Sequence, residues 1–165
     1  MKQYKIEIKW AVIFTIMTLL WMACEKLIGL HDQYIDRHLL YTNLIAIPAI
    51  AIYFFAIREK KINFYHGQMD FREGLRCGFV MTLIIAVLAP LNQYLISTFI
   101  SPDYFKNAIA YAVEQKMFTQ DQAEDYFSLK SYLKQSVFGA LVMGILTSAI
   151  ISLILKNKAT APQGK

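Results

Sequence analysis

Four stretches without a single charged side chain constrain this chain more than any other feature. They cover residues 10–24, 39–57, 77–102 and 135–155 and hold 81 of the 165 residues. All 29 formal charges fall in the other 84. A soluble helix keeps a charged face toward water, so four such runs argue for helices whose solvent is lipid. A bilayer core about 30 Å thick needs roughly 20 helical residues. The second, third and fourth runs meet that length. The first is shorter, but Ile6, Ile8, Leu27, Ile28 and Leu30 extend its apolar face on both sides. Composition agrees: 56% of the residues are hydrophobic and 18% charged, against roughly 45–50% and 25% in soluble domains. A soluble globular domain, a disordered chain and a disulfide scaffold are thereby excluded.

The expected fold is all-α: a four-transmembrane-helix bundle with an amphipathic helical outer loop between spans 3 and 4. The spans are placed at about 8–29, 39–57, 71–100 and 135–155, with outer-loop helices over about 102–134. Residues 1–155 form one membrane domain and 156–165 a short cytoplasmic tail.

Charge sets the orientation. The five polar segments, 1–9, 25–38, 58–76, 103–134 and 156–165, carry net charges of +2, −1, +2, −1 and +3. The first, third and fifth hold 11 Lys and Arg in 38 residues, and the other two hold 6 in 46. Cationic flanks stay in the cytoplasm, so both termini and the middle loop are expected inside. The cations sit at membrane flanks rather than in a dense stripe, which suits lipid headgroups and not nucleic acid. Residues 1–24 have the outline of a lipoprotein signal, but Trp21-Met22-Ala23 before Cys24 is too bulky for one. Cys24 and Cys77 are expected at opposite ends of their spans, roughly 20 Å apart in depth, so no disulfide is expected. There is no Cys-x-x-Cys.

Local signals follow the chain. Gly29 reads as a helix C-cap. Pro48 and Pro90 should kink spans 2 and 3, with Asn92 and Gln93 placed to satisfy carbonyls freed by Pro90. Asp70-Phe71-Arg72-Glu73 has capping-box spacing. Ser101-Pro102-Asp103 reads as a helix start with Ser101 as N-cap, and Thr119-Gln120-Asp121-Gln122 as another. Tyr104, Tyr111, Tyr126 and Tyr132 suit a headgroup layer, so the outer-loop helices are expected near the membrane surface.

Two spans carry small residues at every fourth position. Span 3 reads Gly74, Gly78, Thr82, Ala86, Pro90, and span 4 reads Ser136, Ala140, Gly144, Ser148, Ser152. That spacing lets helix backbones approach and hydroxyls bond across, either between spans 3 and 4 or between two copies of the chain.

Glu25 is the leading candidate functional residue, because an acid in or near a span is expensive. The plainer reading is hydration, or a pair with Arg37. His31, Asp32, Asp36 and His38 add ligand-type groups nearby. Carboxylates and imidazoles hold divalent metals, but the spacing matches no recognised motif, so a solvated loop is expected and no metal site or cofactor is assigned. Asn43, Asn92 and Gln93 complete the candidates for ligand or partner contact, as polar groups in the outer half of the bundle. No catalytic residue is assigned. There is no His-Glu-x-x-His, no Gly-x-Ser-x-Gly and no P-loop.

Several blocks, in order, carry a resemblance. They are Trp21 with Glu25-Lys26, Gly29-Leu30-His31-Asp32, Tyr41-Thr42-Asn43, Ile47-Pro48-Ala49 and Arg58-Glu59-Lys60-Lys61. Phe71-Arg72-Glu73-Gly74 with Gly78, Ser101-Pro102-Asp103-Tyr104-Phe105 and Ala140-Leu141-Val142-Met143-Gly144 follow. Over about residues 5–155 the chain resembles a family of small bacterial four-span membrane proteins known only as a domain of unknown function. The resemblance implies an inner-membrane location and a long outer loop before the last helix. It brings no activity, cofactor or catalytic residue. The functional expectation is a non-enzymatic structural or interaction protein of the bacterial inner membrane. Its partners would be the lipid bilayer and either a second copy or another membrane protein. The alternative is a small transporter or channel-like module using the outer-half polar groups. Both hairpins begin inside, so any repeat would be parallel, and none is visible.

Overall fold

The computed structural model describes residues 2–157, which are helical with no strand among them. The helices are α1 (Lys5–Leu27), α2 (Ile35–Thr42), α3 (Ala46–Asn63), α4 (Phe71–Leu95), α5 (Tyr104–Glu114), α6 (Gln120–Tyr126) and α7 (Leu129–Leu155). Four helical runs are long and apolar enough to cross a membrane: Lys5–Leu27, Ile35–Asn63, Phe71–Ile100 and Leu129–Leu155, of 23, 29, 30 and 27 residues. These four runs mark the chain as a membrane protein. Their outward faces are apolar: Val87 is 78% exposed and Phe138 70%. Water would penalise such faces and a bilayer does not. Most of the tail expected at 156–165 lies outside the described residues.

The tightest packing joins α4 to α7. Gly74 lies against Ser152, Gly78 against Ser148, and Gly144 against Thr82 and Tyr53. Without side chains at the glycines, the two backbones approach closely enough for the small partners to fill the seam. Ala86 is buried on the same face of α4, and Ala140 packs against the core from α7. The hydroxyls do not bridge α4 and α7. Ser148 and Ser152 donate back to the carbonyls of Gly144 and Ser148, at 2.6 Å each, and Thr82 donates to Gly78 O at 2.8 Å. Each of these three hydroxyls thus donates within its own helix. α1 packs on α3 and α4, and α3 also touches α7.

The two prolines sit at different places in their helices. Pro48 sits in the first turn of α3, and the disturbance falls upstream, in a tight 3-10 turn at Asn43–Ile45 between α2 and α3. The proline ring crowds the carbonyl four residues back, at Leu44, so the chain rewinds there. Pro90 lies inside α4, whose run continues through a π-helical turn at Ile96–Ile100. Asn92 and Gln93 do not serve the freed carbonyls. Asn92 Nδ2 donates to Thr18 Oγ1 on α1 at 2.7 Å, and Gln93 Nε2 to Ser97 Oγ at 3.0 Å.

One end of the bundle holds residues 2–4, the α3–α4 connection and residue 157. Asp70 caps α4 through a reciprocal box with Glu73. Met69 and Asn157 exchange two hydrogen bonds of 2.8 and 2.9 Å, clasping the start of α4 to the end of α7. Lys61 Nζ reaches Leu155 O at 2.7 Å, where a cation suits a helix C-terminus. The opposite end is closed by the α1–α2 turn, α5 and α6. Thr119 opens α6 with a capping box to Gln122.

Candidate functional site

The site forms at this second end, and its local cause is Gly29. At φ +82°, Gly29 occupies the left-handed position after α1 that glycine alone adopts cheaply. Leu30 N–H bonds to Glu25 O at 3.0 Å and Gly29 N–H to Lys26 O at 3.1 Å, the paired bonds of a Schellman termination. The chain therefore reverses directly over the last turn of α1. His31 lands on Glu25 instead of extending into solvent.

Glu25 is 3% exposed and His31 0%. Arg37, the cation expected to pair with Glu25, instead lies beside Asp36 on the surface. The Glu25 carboxylate is divided between partners. Oε1 accepts from Trp21 Nε1 at 2.6 Å, a contact set by their four-residue spacing on α1. Oε2 faces two imidazoles, 3.3 Å from His31 Nε2 and 3.6 Å from His38 Nδ1. His38 Nδ1 is buried and makes no hydrogen bond. On its far side, His31 Nδ1 lies 3.0 Å from Ser101 Oγ. Tyr104 packs on both imidazoles, at ring-centroid distances of 5.2 and 5.1 Å. Its phenol is held above its usual value of 10 by burial, so it is neutral at physiological pH. Asn107 of α5 donates to His31 O at 2.9 Å and to Asp32 Oδ1 at 3.0 Å. The α1–α2 turn and α5 are thereby locked together over the bundle end.

Ser101 is not the N-cap of α5. That place falls to Asp103, which makes no side-chain cap bond, while the Ser101 hydroxyl is committed to His31. The order Ser101–His31–Glu25 matches that of a nucleophile, a base and an orienting acid. The surroundings do not favour acyl transfer. Ser101 is 1% exposed, and its own N–H is bonded to Ile96 O at 2.8 Å, so it cannot serve an oxyanion.

A cavity of about 510 Å³ opens beside this cluster. His31, His38, Thr42, Gln93, Ser97 and Ser101 are among its polar lining residues, and Met22, Ile35, Leu39, Ile96, Ala108 and Ala112 among its apolar ones. Aromatic rings are dense around it, where Tyr104, Phe105, Tyr126, Phe127 and Tyr132 meet.

Of the residues singled out from sequence, His31, Asp36, His38 and Gln93 thus line one cavity, and Glu25 adjoins it through His31 and His38. Asp32 stands just outside it, paired with Lys26 at 2.6 Å. Asn43 is exposed at the 3-10 turn and donates to Leu39 O at 2.6 Å, and Asn92 faces α1. The solvated loop expected over residues 31–38 is half interior, because the Gly29 reversal folds it inward. The fold also brings in Trp21, Ser101, Tyr104 and Asn107. Of these, the Trp21–Glu25 spacing alone was visible in the sequence.

The match to known families fits this four-helix architecture and spans nearly all of it. A family model described as "Protein of unknown function (DUF4199)" matches residues 9–157. The chain belongs to this family. No curated protein and no solved structure is found to match it. The matched residues of DUF4199 take in the last three spans, the first from residue 9 onward, and every residue of the cluster just described.

A second buried charge site lies at the other end of the bundle and was not anticipated. Glu7 of α1 and Lys60 of α3 pair at 2.9 Å, and Lys60 also donates to Gln3 O. In sequence, both belong to charged flanks that read as solvated anchors.

Proposed function

We propose that this chain is a multi-pass protein of the bacterial inner membrane. Both termini are cytoplasmic, and it works as a non-enzymatic binding module whose outer-end cavity takes a small amphiphile. The cavity carries this reading: a space of about 510 Å³ lined by apolar side chains and a few polar groups, formed where α1, α2 and α4 meet the outer-loop helices. Most small-molecule sites combine apolar walls with a few fixed polar groups. A ligand with a hydrocarbon body and one hydrogen-bonding end matches that division, with His31, His38 and Tyr104 facing its head. Such a ligand is already concentrated in the bilayer around the protein. A transport role has less support, since Asn92 Nδ2 is committed to Thr18 and the α4–α7 seam is closely packed.

Trp21 reports on the site through its bond to Glu25. In a Trp10→Phe variant held in detergent, a brominated fatty acid should quench Trp21 fluorescence saturably, and the unbrominated acid should reverse it. Ala112→Phe, which fills the cavity, should remove the saturable component. Quenching that rises linearly with mole fraction, equally in both proteins, would mean simple partitioning and would end this reading.

A further inference from the structure

We infer that Glu25, His31 and His38 form a binding site for a divalent transition metal, with zinc the best fit. The inference goes beyond the amphiphile reading and does not depend on it. The donor atoms offered by these three side chains lie within 4.8 Å of one another. Two imidazoles and one carboxylate are a donor set that zinc accepts, with three protein ligands and one position left open. In a tetrahedral site with bonds of about 2.1 Å, neighbouring donors stand about 3.4 Å apart. The distances from Glu25 Oε2 to His31 Nε2 and to His38 Nδ1 are 3.3 and 3.6 Å. Two of the three edges of the ligand triangle are therefore already near length.

The surroundings suit a metal better than a plain hydrogen-bond network. A network leaves His38 Nδ1 buried and unpartnered, at a cost in free energy. A metal ion would take its lone pair. The outer partners are those that fix ligands in metal sites. Trp21 holds Oε1, leaving Oε2 for the ion. Ser101 sits on His31 Nδ1. With metal bound, His31 carries its proton on Nδ1 and donates it to Ser101 Oγ, so that Nε2 presents a lone pair. The open position faces the cavity, because His31, His38 and Ser101 all line it.

The test uses the tag-free full chain in detergent, stripped of metal and titrated with Co²⁺ as a spectroscopic stand-in. One equivalent should develop the visible ligand-field bands of a four-coordinate site, and one equivalent of Zn²⁺ should remove them. Glu25→Gln and His38→Gln should each weaken Zn²⁺ binding on the order of 100-fold, and Ser101→Ala about 10-fold. Asp32→Asn, a neighbouring exposed carboxylate, should change nothing. X-ray absorption on the wild-type Zn²⁺ form should show two imidazole ligands and does not depend on any variant folding. Absence of the cobalt bands, bands that persist in both Glu25→Gln and His38→Gln, or a zinc shell without imidazole would each overturn the assignment. The fluorescence titration above runs without metal, so either reading can fail while the other stands.

Discussion

Tyr53 and Thr82 share a hydroxyl–hydroxyl hydrogen bond of 2.9 Å between α3 and α4, and Gly144 of α7 lies directly over it. Three helices thus meet at one point. Neither hydroxyl can swing aside without breaking a bond, since Thr82 also donates to Gly78 O. A Cβ on Gly144 would lie 2.5 Å from Thr82 Oγ1 and 2.6 Å from Tyr53 OH.

Gly144→Ala should therefore destabilise the bundle by about 1–3 kcal/mol, the usual cost of overpacking. Gly78→Ala should do likewise through Ser148, and Ser148→Gly should restore part of the loss by vacating the space. Gly139, on the same helix as Gly144, has open space where a Cβ would stand, with nothing within 4 Å. Gly139→Ala should be neutral or stabilising by up to about 1 kcal/mol, because it removes a helix-interior glycine. Unfolding in detergent against denaturant measures all four. An equal gain at Gly139 and Gly144 would show that helix propensity, and not the seam, decides.

The Glu7–Lys60 pair, with exposures of 2% and 4%, leads to a second expectation. Buried pairs add little net stability over apolar residues, yet removing one partner strands the other charge. Lys60→Met alone should cost about 3–5 kcal/mol, and Glu7→Leu with Lys60→Met should recover most of it. A double-mutant cycle on the detergent-solubilised protein reads the coupling directly. Additive losses across the cycle would mean that the two groups do not sense each other.

What the sequence could and could not tell follows from the range of the forces involved. Span lengths, the Asp70 and Thr119 capping boxes and the Gly29 termination are local, and each is written in a few adjacent residues. The small-residue steps of α4 and α7 were visible as faces, but the pairing of Gly78 with Ser148 needed the two helices together. The cluster was harder. His31 and Ser101 are seventy residues apart, and Ser101-Pro102-Asp103 also has the pattern of a helix start, which concealed the hydroxyl's other partner. Glu7 and Lys60 sit beside other charges, so nothing local distinguishes them from hydrated anchors.

Orientation is the property in which charge and structure combine. The fold puts residues 2–4, the α3–α4 connection and residue 157 at one end, tied by the Lys60–Gln3 and Met69–Asn157 contacts. Whichever side takes one of these takes all three. Among the described residues, the segments at this end carry 9 of the 15 cations, so the positive-inside bias predicts that it faces the cytoplasm. With Cys24 and Cys77 replaced by serine, Asn63→Cys at the end of α3 and Gln120→Cys at the start of α6 give two exposed reporters. In intact spheroplasts a membrane-impermeant maleimide should label Gln120→Cys at once, and Asn63→Cys only after lysis. The reverse pattern would require the more cationic flanks to have crossed the membrane. It would also move the Glu25–His31–His38 cluster to the cytoplasmic side, where the metal and the amphiphile would have to reach it from within the cell.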